Sequence, residues 1–504
     1  MSVARLVINP AYTVGPVRRR TFGSFVEHLG RCVYTGIFEP GHPTADEQGF
    51  RGDVLDLVRE LGVSTVRYPG GNFVSGYRWE DGVGPVETRP TRLDPAWHTV
   101  ETNAFGLNEF MRWARKADVE PMLAMNLGTR GLQEAIDLLE YTNHPGGTAL
   151  SDLRIAHGAT EPHDVRLWCL GNEMDGPWQL GHKSAEEYGR LAAGTARAMR
   201  QFDPGLELVA CGSSSRTMPT FGAWEATVLE HAYDVVDYIS AHAYYQLHDD
   251  DHASFLASSV DMDRFIQQVV ATADHVGARL GSDKRIDISF DEWNVWYLEE
   301  LQRGDGGLPE EWTVAPRTSE EAYTVLDAVV VGSLLITLLR HADRVTAASQ
   351  AQLVNTISSI RTEPGGPAWR QSIFHPFALT SKHARGTVLD LRLDSPTLAT
   401  ERHGDVSMLD AVATLDAGDG RLVVFVVNRH PSEHVAFSTD LRGFGGGSLR
   451  SAVLLADEDL TAANTQDDPD RVVPREHPDA SVTDGALLAE LPPASWSMVV
   501  LDVG

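Results

Sequence analysis

"RLWCLGNEMDGPW" (residues 166–178) is an apolar run that stops at Asn172 and Glu173, with glycine and proline close behind. Such a run is typical of a buried strand that ends in a turn. The pattern recurs, because eight apolar runs alternate with amphipathic helical stretches from about residue 20 to residue 360. Strand alternating with helix eight times predicts an α/β fold of the (β/α)₈ TIM-barrel type. A doubly wound open sheet shares this alternation and is the alternative.

The predicted strands lie in "FGSFVEHLG", "VSTVRYPGGN", "EPMLAMNLG", "VRLWCLGNE", "LELVACGSS", "VDYISAHAYY", "RIDISFDEW" and "VTAASQAQL". Among the helical stretches between them, "SAEEYGRLAAGTARAMRQF" opens with Ser184 and Glu187, the spacing of a capping box. "LDAVVVGSLLITLLRHADR" is broken by polar residues, so it predicts a buried helix rather than a membrane span.

Beyond about residue 376 the chain changes to short strands separated by Gly, Asp and Pro turns. In "MLDAVATLDAGDGRLVVFVVNR" the central "DAGDGR" predicts a hairpin connection. We therefore expect a barrel over residues 17–375 and an all-β sandwich over residues 376–504. The opening "ARLVINP" also predicts a strand, and we expect residues 1–16 to join the sandwich.

The composition restricts the classes of partner. Of 504 residues, 71 are acidic and 42 basic, which gives a net charge of −29. Such a surface repels phosphate backbones and anionic lipids, so we expect no nucleic acid and no membrane as partner. The spacing of the three cysteines, Cys32, Cys169 and Cys211, matches neither a disulfide framework nor a zinc site. No signal peptide is visible, so a cytoplasmic protein is expected.

In a barrel of this type, active-site residues come from the carboxyl ends of the strands. Two of those ends carry Glu173 and Glu292, and two carboxylates facing one cavity suit glycoside hydrolysis. Other polar residues at strand ends are Glu27, Arg67, Asn72, Asn126, Asn172, His242, Tyr244 and Gln352. Trp168, Trp178, Trp293 and Trp296 are near enough in sequence to form apolar walls around a sugar.

Each residue also has a simpler interpretation. Glu173 or Glu292 alone could be a solvated loop residue, Asn172 a turn residue and His242 a core histidine. No G-x-S-x-G, P-loop, H-E-x-x-H or strand-associated G-x-G-x-x-G motif occurs. Neither "FVEHLG" nor "SAHAYY" has the spacing of a metal site. The joint placement of these residues at one end of a barrel favours the functional interpretation.

"WCLGNEMDGPWQLGHKSAEEYGRLA" and "SFDEWNVWY" closely resemble the α-L-arabinofuranosidases of glycoside hydrolase family 51. The likeness continues through "RYPGGNFVSGYRWEDGVGP", "AQLVN" and "GPAWRQSIFHPF", and so covers the barrel and reaches into the sandwich. The resemblance implies a retaining mechanism with Glu173 as the general acid/base and Glu292 as the nucleophile. The two carboxyl groups should then lie about 5–5.5 Å apart.

The resemblance also implies that Arg67 lies beside the nucleophile and that Trp97 and Trp296 line the site. It assigns hydrogen bonds with the furanose hydroxyls to Glu27, Asn72, Asn172, Tyr244 and Gln352, with Asn172 on the 2-hydroxyl. Family members carry a jelly-roll-like C-terminal sandwich, are commonly intracellular, form homo-oligomers that are often hexamers, and need neither metal nor organic cofactor.

The sequence thus predicts a retaining, exo-acting α-L-arabinofuranosidase that acts on arabinofuranose-containing oligosaccharides from arabinan or arabinoxylan. A β-xylosidase or an endoglucanase on the same barrel is the nearest alternative. A sugar-binding protein without catalysis and a metal-dependent hydrolase are more distant ones.

Overall fold

The computed structural model describes residues 2–303, 308 and 310–504. Eight parallel strands close into a barrel, which confirms the predicted fold. Strand 8 pairs with strand 1 through Ser349 and Gly23, so the open-sheet alternative is wrong. In chain order, barrel strands 1 to 8 are Gly23–Phe25, Thr65–Tyr68, Glu120–Ala124, Leu167–Leu170, Glu207–Ala210, Tyr238–Tyr245, Asp287–Val295 and Val345–Gln350.

Helices connect the strands and cover the outside of the barrel. The capping box that opens the fifth helix is confirmed, because Ser184 Oγ accepts from the Glu187 amide and the Glu187 carboxylate accepts from the Ser184 amide. The α-helices are Gly52–Leu61, Leu107–Ala117, Leu132–Asn143, Ala149–Ala156, Ala185–Phe202, Ala223–Ala232, His252–Leu256, Ser259–Leu280, Leu298–Arg303, Val325–Arg340 and Phe374–His383. Short 3₁₀ turns lie at Arg19–Phe22, Asn72–Ser75, Trp79–Gly82 and Val86–Thr88.

The helix Val325–Arg340 is buried along nearly its whole length, as its sequence predicts. It contacts both the barrel and three strands of the C-terminal sandwich, so neither face meets solvent. Among the described residues, we find no helix with the length and apolar character of a membrane span.

Two sheets packed on a shared apolar core form the sandwich. The predicted "DAGDGR" hairpin joins Leu409–Asp416 to Arg421–Asn428. The five-stranded sheet has the order Arg392–Asp394, Ser2–Val7, Val435–Asp440, Ala486–Leu491 and Ser481–Thr483. The seven-stranded sheet has the order Thr13–Pro16, Thr387–Leu389, Leu409–Asp416, Arg421–Asn428, Ser495–Val503, Gly447–Leu455 and Arg475–Glu476. Hairpins Arg92–Asp94/Thr99–Glu101, Ile360–Thr362/Ala368–Arg370 and Thr397–Thr400/Gly404–Ser407 and a 3₁₀ turn at Arg442–Phe444 complete the chain.

The N-terminal strand Ser2–Val7 lies inside the five-stranded sheet, where it pairs with Arg392–Asp394 on one side and Val435–Asp440 on the other. The helix Phe374–His383 spans position 376. The division of the chain into a barrel over 17–375 and a sandwich over 376–504 therefore remains a proposal, with its boundary inside a helix.

A buried polar cluster joins barrel and sandwich. Asp410 of the sandwich is fully buried and accepts from Arg340 Nη1 at 2.7 Å and from Ser333 Oγ at 2.8 Å, both on the helix Val325–Arg340. Arg429 and Ser259 complete its hydrogen bonds. Because every oxygen of this carboxylate is paired, the interface holds a charge at its centre without an unsatisfied acceptor.

Candidate active site

The carboxyl ends of the barrel strands surround a pocket of about 300 Å³. Eight of the ten residues that the sequence singles out line it: Glu27, Asn72, Trp97, Glu173, Tyr244, Glu292, Trp296 and Gln352. The other two, Arg67 and Asn172, are buried and hydrogen-bonded to this lining. These ten are the residues to which the family resemblance gives a role, and the strand ends, with Trp97 from the hairpin Arg92–Asp94/Thr99–Glu101, bring them to one place.

A tight turn after barrel strand 4 presents Glu173. Gly171 has φ +98°, a conformation that a side chain would strain, and Glu173 itself has φ +43°. The Glu173 carboxylate is held at both oxygens. Oε1 lies 2.9 Å from His242 Nδ1, and Oε2 accepts from the indole Nε1 of Trp178 at 2.8 Å.

Glu292, at the end of barrel strand 7, is held by two donors. Its Oε1 accepts from Arg67 Nη1 at 2.8 Å and its Oε2 from the Tyr244 hydroxyl at 2.7 Å. Arg67 Nη2 donates to Asn172 Oδ1 at 2.7 Å, and Asn172 in turn donates to Asn72 at 3.3 Å. One arginine therefore orients the carboxylate and the neighbouring asparagine together.

Burial alone would lower the pKa of Arg67. The negative charges of Asp291 and Glu292 outweigh this effect and raise that pKa well above its usual value. Arg67 therefore stays a cation beside Glu292.

The two carboxylates are close. One oxygen of Glu173 and one of Glu292 lie within 4.8 Å of each other. Retaining glycosidases place their carboxyl groups about 5–5.5 Å apart, whereas inverting enzymes need about 6.5–9.5 Å to admit a water molecule. The observed spacing lies nearer the retaining separation than the inverting one and suits direct attack by one of the two groups.

Glu27 follows barrel strand 1 and forms the floor of the pocket. Its Oε1 accepts from the Phe73 amide at 2.9 Å and from Trp97 Nε1 at 2.8 Å, and its Oε2 from Gln352 Nε2 at 2.9 Å. Burial, together with the negative charge of Glu292, raises the pKa of Glu27 well above its usual value despite the bonds from Phe73 and Trp97. This favours a neutral carboxyl group.

Gly71 allows Glu27 its position. It has φ +63°, and a Cβ at this residue would lie 2.3 Å from the Glu27 carboxyl atoms. The glycine pair of "YPGGN" is therefore needed for close approach and not only for a turn.

Aromatic rings form the walls. Trp296 donates from Nε1 to Ser319 Oγ at 3.1 Å, and Tyr244 packs edge-on against it with ring centroids 4.9 Å apart. Trp178 is 52% exposed and stands at the mouth. Such apolar surfaces suit the faces of a sugar ring that are formed by its C–H groups.

Of the four tryptophans expected as walls, Trp296 lines the pocket and Trp178 contacts it through Glu173, whereas the other two do not reach it. Trp168 is fully buried and donates to the Val165 carbonyl, and Trp293 stacks on Phe377. Both point outward from the barrel strands toward the helices, so this expectation was wrong for them. Asn126, another strand-end residue, donates to the Tyr77 carbonyl and accepts from loop amides, which is a structural role.

The sequence did not single out Asp291, which lies at the centre of the site. Its Oδ1 is 2.9 Å from His242 Nε2, and its Oδ2 accepts from Cys169 Sγ at 3.7 Å. Alternation along a strand places neighbours on opposite faces, so Asp291 and Glu292 should not both point inward. A register shift between Phe290 and Trp293 removes this constraint.

Single ligand atoms of Glu173, His242 and Glu292 lie within 4.8 Å of one another, which is the one cluster with metal-site dimensions among the described residues. A metal ligand needs a free imidazole lone pair. Both His242 nitrogens already face carboxylate oxygens at 2.9 Å, so neither is available. We therefore assign no metal to these residues. All three cysteines are buried and outside any disulfide.

Comparisons with known proteins agree with this geometry. The family model of the α-L-arabinofuranosidase 1 domain matches residues 57–259, and that of the α-L-arabinofuranosidase C-terminal domain matches residues 291–495. The chain is 60% identical to an intracellular exo-α-(1→5)-L-arabinofuranosidase of Streptomyces lividans, over 99% of this chain and 75% of that protein. It is 56% identical to an exo-α-(1→6)-L-arabinofuranosidase of Bifidobacterium longum, over 98% of this chain and 97% of that protein.

Among solved structures, a family 51 α-L-arabinofuranosidase from Bifidobacterium longum superposes with a TM-score of 0.95 at 50% identity, covering 99% of each chain. An arabinose complex of an α-L-arabinofuranosidase from Thermotoga maritima superposes with a TM-score of 0.86 at 33% identity, also over 99% of each chain. The likeness extends over barrel and sandwich alike.

Proposed function

Because this chain belongs to the α-L-arabinofuranosidases of glycoside hydrolase family 51, we propose that it removes terminal, non-reducing α-L-arabinofuranosyl residues with retention of configuration. The natural substrates in this proposal are arabinofuranose-containing oligosaccharides derived from arabinan or arabinoxylan. Similar proteins named exo-acting arabinofuranosidases support the terminal mode of attack. Those named intracellular support a location inside the cell.

The observation that carries the mechanism is the approach of Glu173 and Glu292 to within 4.8 Å in one pocket. In the first step, a carboxylate oxygen of Glu292 attacks the anomeric carbon. Glu173 gives its proton to the glycosidic oxygen, so the bond to the aglycone breaks and the aglycone leaves as an alcohol. The product is a covalent arabinosyl ester of Glu292.

In the second step, Glu173 acts as a base. It takes a proton from water while the water oxygen attacks the anomeric carbon, and the ester bond to Glu292 breaks. Glu173 is again protonated, Glu292 is again a carboxylate, and one water has been consumed. Two inversions return the starting anomer.

In this proposal the remaining residues either orient Glu292 or bind the sugar. Arg67 and Tyr244 keep Glu292 oriented for attack through their bonds at 2.8 and 2.7 Å. Asn172 meets the 2-hydroxyl, while Glu27, Asn72 and Gln352 meet the others. The buried Oε1 of Gln352 has no hydrogen-bond partner among the described residues, which suits an acceptor reserved for a ligand hydroxyl.

We also propose, on the resemblance to the family, that the chain assembles as a homo-oligomer in the form of a hexamer. Light scattering on the protein as it elutes from a size-exclusion column would then give a particle mass of six times the 55.1 kDa chain mass. A particle of one chain mass would contradict this proposal.

The activity is tested by proton NMR during hydrolysis of an aryl α-L-arabinofuranoside. We expect the α-anomer of arabinose to appear first. Initial β-anomer would contradict the double displacement. Turnover of aryl xylosides or cellulose in preference to arabinofuranosides would contradict the assigned sugar.

The two carboxylates are tested separately. Glu173→Ala should slow substrates with poor leaving groups far more than activated aryl glycosides, and azide should restore turnover by attacking the arabinosyl-enzyme. Glu292→Ala should abolish turnover of both, because no ester forms. An equal loss on both substrate types in Glu173→Ala, with no azide effect, would remove Glu173 from the acid/base role.

A further inference from the structure

His242 lies among three carboxylates at the base of the pocket. Its Nδ1 is 2.9 Å from Glu173 and 3.6 Å from Glu292, and its Nε2 is 2.9 Å from Asp291. The imidazole is buried, with its side chain 2% exposed. The mechanism above uses Glu173 and Glu292 but gives no role to the other two residues.

Asp291 determines which nitrogen of His242 carries a proton. Burial would raise the pKa of Asp291, but the Arg67 cation and the bond from His242 lower it below its usual value. Arg67 Nε lies 4.0 Å from Asp291 Oδ2. An ionised carboxylate only accepts hydrogen bonds, so His242 must carry a hydrogen at Nε2.

The second nitrogen faces Glu173. Burial would lower the pKa of His242, yet the charge of Glu292 and the bonds to Asp291 and Glu173 raise it well above its usual value. With Nε2 protonated toward Asp291, the remaining proton of His242 lies on Nδ1, on the line to Glu173 Oε1. This arrangement places a cationic donor directly on the acid/base carboxylate.

We propose that Asp291 is a positioning residue that acts through His242: it holds the imidazole as a donor to Glu173 and thereby sets the pH at which Glu173 gives up its proton. This inference rests on the proposed function. Asp291 and His242 do not touch the sugar in this arrangement. Their effect is on the proton and the orientation of Glu173.

The groups that surround the pair come from three other barrel strands and from the pair's own strands. In this neighbourhood the charged or titratable side chains are Arg67, Cys169, Cys211, Glu173, Asp175 and Glu292. The two thiols stay neutral because burial raises their pKa. None of the variants below changes the Arg67–Glu292 pair, whereas Asp291→Asn removes the Arg67–Asp291 ion pair. The double-mutant cycle separates that effect from the one that acts through His242.

The test is the pH profile of kcat/KM on α-(1→5)-linked arabinotriose, a substrate whose poor leaving group needs the acid. The basic limb of this profile reports the loss of the Glu173 proton. Asp291→Asn removes one of the negative charges that favour imidazolium, so the cation beside Glu173 is less stable and Glu173 keeps its proton longer. We expect the basic limb to move upward by about one to three pH units, the effect of one opposite charge at close range.

A double-mutant cycle separates action through His242 from a direct effect of the Asp291 charge. His242→Gln should move the limb in the same direction, and adding Asp291→Asn to it should move the limb no further. An additional shift in the double variant would overturn the proposal, as would an unmoved limb in His242→Gln. The His242→Gln arm also decides the question if Asp291→Asn fails to fold.

Cys169→Ser is the matched control, because it changes a neighbour of Asp291 Oδ2 and leaves the His242 bond at Oδ1 in place. Its basic limb should coincide with that of the unmodified protein. A shift as large as that of Asp291→Asn would assign the effect to general disturbance and overturn the proposal. If the unmodified protein does not hydrolyse arabinotriose or an aryl α-L-arabinofuranoside, the proposed function has failed. If it does and the limb of Asp291→Asn stays in place, this inference alone has failed.

Discussion

Asp94 should make the protein less stable as the pH rises. It ends the strand Arg92–Asp94, is only 5% exposed, and its Oδ1 accepts from the Ala96 amide at 3.0 Å. Its Oδ2 has no hydrogen-bond partner among the described residues. Burial raises the pKa of Asp94 from 3.8 to about 7, and the charge of Glu101 adds to this against the opposing amides. The turn that Asp94 shapes carries Trp97, which binds Glu27.

The sign follows from proton binding. Between the unfolded pKa of 3.8 and the folded pKa of about 7, the folded state holds a proton that the unfolded state has lost. Stability is therefore full below 3.8 and falls as the pH rises through that window. At about 1.4 kcal/mol per pKa unit, roughly 3 kcal/mol is lost between pH 5 and pH 8. With an unfolding entropy of about 2.1 cal/mol/K per residue over this chain, that loss corresponds to about 3 °C in Tm.

Asp94→Asn keeps the acceptor for the Ala96 amide and cannot ionise. Scanning calorimetry gives the Tm of this variant minus the Tm of the unmodified protein at each pH. We expect this difference to be about 3 °C larger at pH 8 than at pH 5. Asp249→Asn is the control, since it makes the same change of charge at a side chain that is 97% exposed. A Tm difference for Asp94→Asn that is the same at both pH values would refute the reasoning.

Four further outcomes follow from the contacts described. Gly71→Ala should lower kcat/KM by about 100-fold because the added Cβ displaces Glu27. The control Gly147→Ala is also at positive φ but has nothing within 4 Å of the added Cβ, so its kcat/KM should stay unchanged. Equal losses in the two variants would mean that backbone strain, and not the displacement of Glu27, causes the loss. Trp178→Phe removes one donor to the Glu173 carboxylate and should lower kcat/KM on arabino-oligosaccharides by about 2- to 10-fold. The effect on activated aryl substrates should be smaller. Equal effects on both substrate types would mean that the bond from Trp178 does not support Glu173 as the acid. Asp410→Ala leaves the buried Arg429 without its carboxylate at the interface of barrel and sandwich, while Arg340 keeps Asp263, and should lower the free energy of unfolding by about 3–5 kcal/mol in denaturant titrations. A change below about 1 kcal/mol would mean that the cluster does not hold the interface. Exhaustive dialysis against a chelator should leave kcat/KM unchanged, and a loss that zinc or magnesium restores would reopen the metal-dependent alternative.

The barrel and the position of its site were predictable because the signals are local. Each strand is an apolar run of a few residues, and each parallel strand delivers its end to the same rim, so Glu173 and Glu292 could be placed together without knowing a single distance. Trp168 and Trp293 were misplaced because proximity in sequence says nothing about which face of a strand a side chain occupies.

Asp291 was missed for a related reason. Strand alternation turns it away from Glu292, and only the irregular register of barrel strand 7 turns it inward. A bulge of this kind depends on the neighbouring strands, which the sequence of one strand does not encode. Likewise, the pairing of Ser2–Val7 with Val435–Asp440 joins segments from opposite ends of the chain.

That pairing has a consequence for synthesis on the ribosome. The strand Ser2–Val7 leaves the ribosome more than 400 residues before one of its two neighbours in the sheet, which begins at Val435. At about 5–20 residues per second, the wait is roughly 20 to 90 s. Throughout it, Ala4 and Leu6, which are buried in the finished sheet, have no partner strand there. The barrel can close during this time, whereas the five-stranded sheet is completed only after Ala486–Leu491 has been synthesised. Bulky fusions at the amino terminus should therefore disturb the last stage of folding more than the first.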